Sequence, residues 1–267
     1  MSLGSDFSGI LLLILAATGL VLVVDHFVLR PRRLAPALAG SSAGASSSPP
    51  QPALVSYARS LFPILLVVLL FRAFVFEPFR IPSASMMPGL VDGDFILVSK
   101  FRYGLRLPLL NTKILSTWEP QRGDVVVFHS TSGPPINLIK RLVGVPGDHV
   151  VVRNNRVEIN GSPVPLVPDG RYSGGYGFTG AELRRETIGG REHRIMLAPV
   201  WRSVDFDGVV PAGHYFFMGD NRNDSEDSRF SPVGFVPADH LIGRAVAIWM
   251  NWRVPDWPQL GRIGPIR

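Results

Sequence analysis

The sequence predicts a mainly β domain of antiparallel sheets, anchored to a membrane by two N-terminal transmembrane helices. Three observations predict this fold class. Two long apolar stretches come first, short strand-like runs punctuated by Gly and Pro follow, and only 18% of the 267 residues are charged. A soluble domain usually has about 25% charged residues. We therefore expect part of the chain to lie in lipid.

The first apolar stretch covers residues 7–24 and contains no charged side chain. About 20 apolar residues span a bilayer, so this stretch predicts a transmembrane helix. A cleaved signal peptide is the alternative, but it would begin with basic residues, and the charged side chain before this stretch is Asp6. Arg30, Arg32 and Arg33 follow the stretch, and the positive-inside rule places them in the cytoplasm.

The second apolar stretch covers residues 60–76 and contains Pro63 and Arg72. A buried helix of a globular domain is the alternative for this weaker pattern. Residues 34–52, between the two stretches, are rich in Ala, Gly, Ser and Pro, which predicts a flexible linker. If both stretches span the membrane, everything after Glu77 returns to the outer side.

The rest of the chain has β patterns. Apolar runs rich in Val, Ile and Phe predict strands, and Asn160-Gly161 predicts the turn of a tight hairpin within residues 157–164. Residues 166–208 are more polar and Gly-rich, which predicts a subdomain inserted into the β core. The other predicted strands cover residues 94–98, 124–128, 148–152, 215–218 and 245–250.

These patterns divide the chain into six segments. In order, they are a first transmembrane helix with a short outer N-terminus (1–29), a cytoplasmic linker (30–59), a second transmembrane helix (60–77), the first part of the β core (78–165), the inserted subdomain (166–208) and the second part of the β core (209–267).

Composition excludes several function classes. The net charge of +6 suits nucleic acid or an anionic membrane surface. The sequence has no dense Lys/Arg stripe, zinc-ligand spacing or RNA-binding motif, so we expect no nucleic-acid partner. It also has no cysteine, which excludes disulfides, thiolate metal sites and a cysteine nucleophile.

Two serines lie between prolines just after the second apolar stretch, in Pro82-Ser83-Ala84-Ser85-Met86-Met87-Pro88. Proline on both sides limits the backbone conformations around Ser85, which suits a fixed nucleophile. An ordinary turn is the alternative for this segment alone.

A serine nucleophile needs a neighbour that takes its proton. None of the histidines lies in a recognisable triad motif. Lys140 lies on an apolar strand-like run before a Gly-x-Pro-Gly-Asp turn, and burial there would lower its pKa and let the neutral amine act as a base. A strand lysine that points to solvent is the alternative.

A polar loop covers residues 219–229 and is dense in short side chains that can bond to the backbone. Asp227 and Arg229 can pair to shape this loop. A surface turn is the alternative.

In combination, these segments resemble bacterial type I signal peptidase, also called leader peptidase, a serine–lysine protease family. The resemblance covers most of the chain outside residues 34–58 and 166–208, and its specificity comes from all the motifs occurring in order. The matching segments are 82–88, Gly93-Asp94, 140–148, 219–229 and 243–250.

The resemblance implies a membrane-bound endopeptidase that removes N-terminal signal peptides from exported preproteins after an Ala-x-Ala-type site, with no metal or cofactor. Its implied partners are preprotein signal peptides, the lipid bilayer and the export translocon. Its implied location is the bacterial cytoplasmic (inner) membrane, as a multi-pass protein with the β domain on the outer, periplasmic side.

The resemblance also implies roles for individual residues. Ser85 would be the nucleophile, Lys140 the general base, and Ser83 with the Ser85 N–H the oxyanion hole. Ser225 would orient the Lys140 amine. Asp227 and Arg229 would support the 219–229 loop. The residues implied to line apolar substrate pockets are Phe79, Ile81, Pro82, Met86, Leu90 and Ile139.

Two other functions are compatible with parts of the pattern. A self-cleaving, repressor-type protease shares the serine–lysine chemistry, but such proteins carry a DNA-binding domain, and two spans argue against it. A non-catalytic, membrane-anchored β scaffold is the third reading. The complete set of Ser83, Ser85, Lys140 and Ser225 argues against a scaffold that has lost its catalytic activity.

Overall fold

The structure is a computed structural model. It describes residues 3–33, 52–103, 105–106, 113–115, 118–133, 136–198 and 203–266. The chain divides into two compact units, Met1–Ala73 and Phe74–Arg267. The first unit is helical and the second is built from antiparallel sheets.

Helices α1 (Leu3–Val24) and α2 (Ala53–Phe74) form the first unit, and a π-helical turn, Asp25–Leu29, follows α1. Both helices are long and apolar enough to cross a membrane: 18-residue windows within Gly9–Arg33 and Ala53–Arg72 have mean hydropathies of 2.4 and 2.1. Most of their large apolar side chains are exposed, as lipid-facing surfaces require.

A buried carboxylate joins the two helices. Asp25 bonds to Arg33 and lies 3.8 Å from the Arg59 guanidinium of α2. An ionised carboxylate in apolar surroundings needs such partners, because it has lost its water. Gly19 faces the Phe62 ring, which a Cβ atom would approach to 3.1 Å, so the absence of a side chain lets the helices pack closely.

The second helix differs from the predicted bounds of 60–77. It begins at Ala53, and residues 53–59, predicted to belong to the linker, are helical. Hydropathy marks only the apolar part of a helix, whereas the helical hydrogen bonds extend into the preceding polar turn. Residues 76–77 belong instead to a strand. The linker prediction for residues 34–51 lies outside the described residues.

In its described residues, the second unit contains short strands and 3₁₀ turns at Phe101–Tyr103, Ala238–His240 and Leu260–Arg262. The strands are β1 (Phe76–Arg80), β2 (Asp94–Ser99), β3 (Leu105–Arg106), β4 (Lys113–Leu115), β5 (Val125–His129), β6 (Asn137–Gly144), β7 (His149–Arg153), β8 (Arg156–Ile159), β9 (Ser162–Pro163), β10 (Leu166–Arg171), β11 (Glu182–Ile188), β12 (Arg191–Leu197), β13 (Phe206–Val209), β14 (His214–Met218), β15 (Val236–Pro237), β16 (Leu241–Asn251) and β17 (Gly264–Pro265).

In the part of the chain that the structure describes, the strands form one large sheet and three smaller ones. The large sheet has the order β1-β2-β16-β5-β6-β14-β15, and β17 also pairs with β16. The smaller sheets are β13-β7-β8-β9, β10-β11-β12 and β3-β4. All these ladders are antiparallel, which confirms the predicted β class.

The predicted strands and hairpin are also confirmed, with end shifts of a few residues. Asn160 and Gly161, between β8 and β9, have φ angles of 53° and 75°, as a two-residue turn with both central residues left-handed requires. Apolar runs bounded by turn residues identify strands well because both features are local.

Residues 166–208, predicted as one inserted subdomain, do not form a single sheet. Strands β10 to β12 pair with one another, whereas β13 pairs with β7. The Phe206 ring at the start of β13 packs on Phe216 with ring centres 4.5 Å apart. Composition does not show such long-range packing. The predicted end of the inserted subdomain, residue 208, therefore lies too far along the chain.

Strand β6 lies between β5 and β14, and its residues from Ile139 to Gly144 are buried. Ile139 packs into an apolar cluster with Met86, Leu90 and Val127. The strand is therefore covered on both faces, and a lysine placed on it is withdrawn from water.

Three tryptophans near the C-terminus are exposed. Trp249, Trp252 and Trp257 show 40%, 46% and 90% of their surface to solvent. Indole is favoured at the membrane–water interface, so we expect these exposed rings to contact it.

Gly243 should be essential to the packing of β16 between β2 and β5. A Cβ atom there would lie 2.5 Å from the Ser99 carbonyl oxygen, a backbone atom that cannot turn aside. We expect Gly243→Ala to destabilise the fold by about 1–3 kcal/mol and to lower the Tm of the purified protein. Gly261→Ala is the control, since nothing lies within 4 Å of its Cβ position. Equal Tm values would contradict this packing.

Candidate active site

Ser85 and Lys140 meet in the interior of the second unit. Lys140 Nζ lies 2.6 Å from Ser85 Oγ, and the two residues are 4% and 8% exposed. Strand β6 supplies Lys140, and a tight turn supplies Ser85, in which the Met87 N–H donates to the Ala84 carbonyl over 3.0 Å. The structure thus brings together the serine and lysine singled out in the sequence.

The surroundings of Lys140 favour its neutral form. Burial lowers the pKa of the amine to about 8, although the carboxylates of Asp227, Asp220 and Glu226 oppose this shift. Arg229 adds a repulsive positive charge. Near pH 8 about half of the amines therefore have a lone pair free to accept a proton.

Ser83 lies beside the nucleophile. Its Oγ is 3.3 Å from Ser85 Oγ, and its side chain is exposed. A hydroxyl at this distance can turn toward a group that approaches Ser85 from solvent.

Ser225 differs from the prediction that it bonds to the Lys140 amine. Within the part of the chain that the structure describes, its buried hydroxyl has no hydrogen-bond partner. The hydroxyl packs instead against Gly219, where a Cβ atom would overlap it. The same Cβ atom would lie 2.5 Å from the Ser85 carbonyl oxygen, so Ser225, Gly219 and Ser85 are closely packed.

Asp227 and Arg229 form a buried ion pair. The Arg229 Nε and Nη2 atoms each lie 2.8 Å from an Asp227 carboxylate oxygen. Asp227 also accepts the Gly219 N–H over 2.9 Å, and Arg229 donates to the Arg222 carbonyl over 2.7 Å. Such two-point contacts fix geometry, and here they tie the two ends of the 219–229 loop together.

The six residues predicted to line substrate pockets lie near the turn that carries Ser85. Ile81, Met86, Leu90 and Ile139 are buried in one cluster, Phe79 packs against it, and Pro82 is exposed. Met86 and Leu90 also line a cavity of about 570 Å³ together with Arg141, His193, Asp220 and Ile248. The other four predicted residues do not line this cavity.

A buried network of charges lies behind the site and was missed by sequence reasoning. Arg141 Nε and Nη2 donate to Asp220 over 2.8 and 2.7 Å. Glu186 pairs with Arg222 and accepts from His193 Nε2 over 3.1 Å. No group of three or more His, Asp or Glu side chains in the described ranges is arranged to hold a metal.

Local sequence patterns did not indicate these residues, because most of their partners are distant in sequence. Glu186 and Arg222 are 36 residues apart. One local signal was available: a two-residue hairpin turn at Gly189-Gly190 places residue 186 opposite residue 193. The structure has this register.

We expect the Lys140 amine to titrate with a midpoint near pH 8, because burial removes the water that stabilises its charged form. The chain has three lysines, so NMR of protein labelled with ¹³C at the lysine ε-carbon can follow each one. Lys140→Arg assigns the signal by removing it. A midpoint near 10.5, the value of a solvated lysine, would contradict the buried environment.

Comparison with known proteins gives a consistent result. Residues 54–252 match the family model described as signal peptidase, peptidase S26. The chain is 41% identical to "Signal peptidase I" of Pseudomonas fluorescens and also of Pseudomonas aeruginosa, covering 98% of this chain and 99% of each relative. A signal peptidase I structure from Enterococcus faecalis V583 matches at 27% identity and TM-score 0.30, covering 48% of this chain and 98% of that one. The chain belongs to the signal peptidase family, peptidase S26.

Proposed function

We propose that this chain is a membrane-bound serine endopeptidase that removes N-terminal signal peptides from exported preproteins after an Ala-x-Ala-type site. The observation that carries this proposal is the 2.6 Å contact between the Lys140 amine and the Ser85 hydroxyl in a buried site. Relatives named signal peptidase I, matched over nearly their whole length, support the substrate class.

The first chemical step needs a neutral Lys140. Its amine removes the Ser85 proton while Ser85 Oγ attacks the carbonyl carbon of the scissile peptide bond. The resulting oxyanion would accept hydrogen bonds from the Ser83 hydroxyl and the Ser85 N–H. Preorganised donors of this kind stabilise the charge that develops in the transition state.

The second half of the reaction uses the proton that Lys140 has gained. The ammonium gives it to the leaving nitrogen as the C–N bond breaks, which leaves the signal peptide esterified to Ser85. Lys140, neutral again, takes a proton from water as the water attacks the ester carbonyl, and returns that proton to Ser85 Oγ as the ester C–O bond breaks. Lysine is required because arginine holds its proton at any working pH.

Substrate selection would depend on the apolar residues around Ser85. Ile81, Met86, Leu90 and Ile139 form one buried apolar cluster and would line pockets for side chains as small as alanine. Phe79 and Pro82 would complete the walls. Strand β1 is at the edge of the large sheet, and an extended peptide can pair with such an edge.

The proposed location is the bacterial cytoplasmic membrane. α1 and α2 would cross it, and Arg30, Arg32 and Arg33 would hold the intervening segment in the cytoplasm. The β unit would then act on the periplasmic side, where signal peptides emerge from the export translocon in the bilayer.

The test is cleavage of a preprotein-like peptide that contains an Ala-x-Ala site. We expect the wild type to cut after the second Ala, and Ser85→Ala and Lys140→Arg to lower kcat by at least about 1,000-fold, because each removes one half of a cooperating pair.

Exposed Ser162 and half-buried Lys100 provide matched controls for the two variants. Ser162→Ala changes a serine in β9. Lys100→Arg keeps the positive charge that pairs with Glu77. Both controls should cleave like the wild type. Activity retained in Lys140→Arg would mean that another group is the base, and an inert wild type would favour the scaffold function.

The pH dependence follows from the Lys140 amine. Below its pKa of about 8 the amine is protonated and cannot accept a proton, so kcat/KM should fall about tenfold per pH unit at acid pH. Cleavage rates of the same peptide between pH 5 and 10 check this expectation. A flat profile down to pH 5 would contradict a lysine base.

A further inference from the structure

The strand β12 contacts the polar loop that adjoins Ser85. The Met196 N–H donates to the Asp220 carbonyl over 2.9 Å, and the Arg222 N–H donates to the Met196 carbonyl over 3.0 Å. These bonds form an isolated parallel bridge between Met196 and Asn221. The three-stranded sheet β10-β11-β12 is thereby joined to residues 220–222.

Asn221 continues this contact to the nucleophile. Its backbone N–H donates to the Ser85 carbonyl over 3.0 Å, and its side-chain amide donates to the Ala84 carbonyl over 3.3 Å. Met196 is therefore connected to Ser85 by its hydrogen bonds to Asp220 and Arg222 and by the bond that Asn221, between these two residues, donates to Ser85. A shift of β12 would move the backbone that positions the nucleophile.

Side chains reinforce the same connection. Glu186 accepts hydrogen bonds from Arg222 and His193, and all three residues are at least 94% buried. Arg222 Nε also donates to the Gly219 carbonyl over 3.2 Å. Gly219 in turn packs directly on the Ser85 carbonyl. Glu186 thus reaches Ser85 through one arginine and one glycine.

The network depends on charge as well as shape. Burial alone would raise the pKa of Glu186, but Arg222 and the hydrogen bond from His193 overcome it and lower the pKa to about 2. Glu186 is therefore ionised and neutralises Arg222. Removing that charge would leave a buried guanidinium uncompensated, which is costly unless the side chain moves.

We infer that Glu186 and His193 are positioning residues of the serine–lysine reaction, which lock Arg222 so that Gly219 and Asn221 hold Ser85 in reach of Lys140. This inference rests on the proposed function. If it holds, the hairpin β11–β12 helps to position the reacting residues. The bonds of Glu186 go to Arg222 and His193, so both residues would act on Ser85 through the 219–222 segment.

The experiment measures kcat, KM and Tm of Glu186→Gln in the full-length chain with the same peptide. Misplacement of a reacting group by about 1 Å costs on the order of 100-fold in rate. We expect kcat to fall about 10- to 100-fold and KM to stay within about twofold, because the substrate contacts lie on other segments.

The matched control is Glu182→Gln on β11. The Glu182 side chain is 45% exposed, pairs with Arg184 Nε at 2.8 Å and does not line the cavity that contains Met86 and Leu90, so the control removes the same charge without touching the buried network. It should retain wild-type kcat and KM. Wild type and Ser85→Ala run in the same assay, so failure of the proposed function is seen separately.

Two variants of His193 test the hydrogen bond to Glu186. His193→Gln keeps a nitrogen donor near the position of Nε2, whereas His193→Leu removes it. We expect Leu to lower kcat by about tenfold or more and Gln to restore most of that loss. This pair also decides the matter if Glu186→Gln does not fold.

The inference has clear contrary outcomes. Wild-type kcat in Glu186→Gln, with Ser85→Ala inactive, would overturn it while leaving the proposed function intact. A rise in KM with unchanged kcat, equal activity of the two His193 variants, or loss of the folded state in all three variants would also overturn it.

Discussion

The burial of one amine determines much of this site. A charged lysine is poorly stabilised without water, and the position of Lys140 on β6, covered on both faces, lowers its pKa to about 8. The same burial strengthens its contact with Ser85. Everything nearby must then meet two requirements: it must keep water out, and it must not supply so much negative charge that the amine is protonated again.

The arrangement of the carboxylates satisfies the second requirement. Asp220 and Asp227 both lie near the amine, but each is paired with an arginine, Arg141 and Arg229 respectively. Pairing compensates these buried carboxylates and fixes their positions. The ion pairs thus serve the site by restraining the charges around Lys140 as well as by tying the loop together.

The sequence predicted the parts of this structure that depend on local patterns. Apolar runs marked the strands, Asn160-Gly161 marked the hairpin, and the prolines around Ser85 and the apolar setting of Lys140 marked the pair. Contacts between distant segments could not be predicted in this way. Glu186 and His193 lie in a polar stretch, and their importance depends on Arg222, which no local spacing reveals.

The hydrogen bonding of Ser225 and the start of α2 also depend on contacts that local sequence patterns do not show. A hydrogen bond depends on a side-chain torsion, which the resemblance that assigned Ser225 does not fix. The start of α2 depends on backbone bonds that polar residues also make, so hydropathy placed it seven residues too late. Patterns of residue type indicate where an element lies, while its ends and its side-chain contacts depend on tertiary structure.

The distance along the chain between the parts of the site has a consequence during synthesis. Ser85 and Lys140 are 55 residues apart, and Asn221, which holds the Ser85 backbone, is 137 residues beyond its Ala84 contact. A ribosome releases these segments one after another, so the nascent chain has no complete site until the 219–229 loop has emerged. The site is therefore completed only after both N-terminal helices have been synthesised.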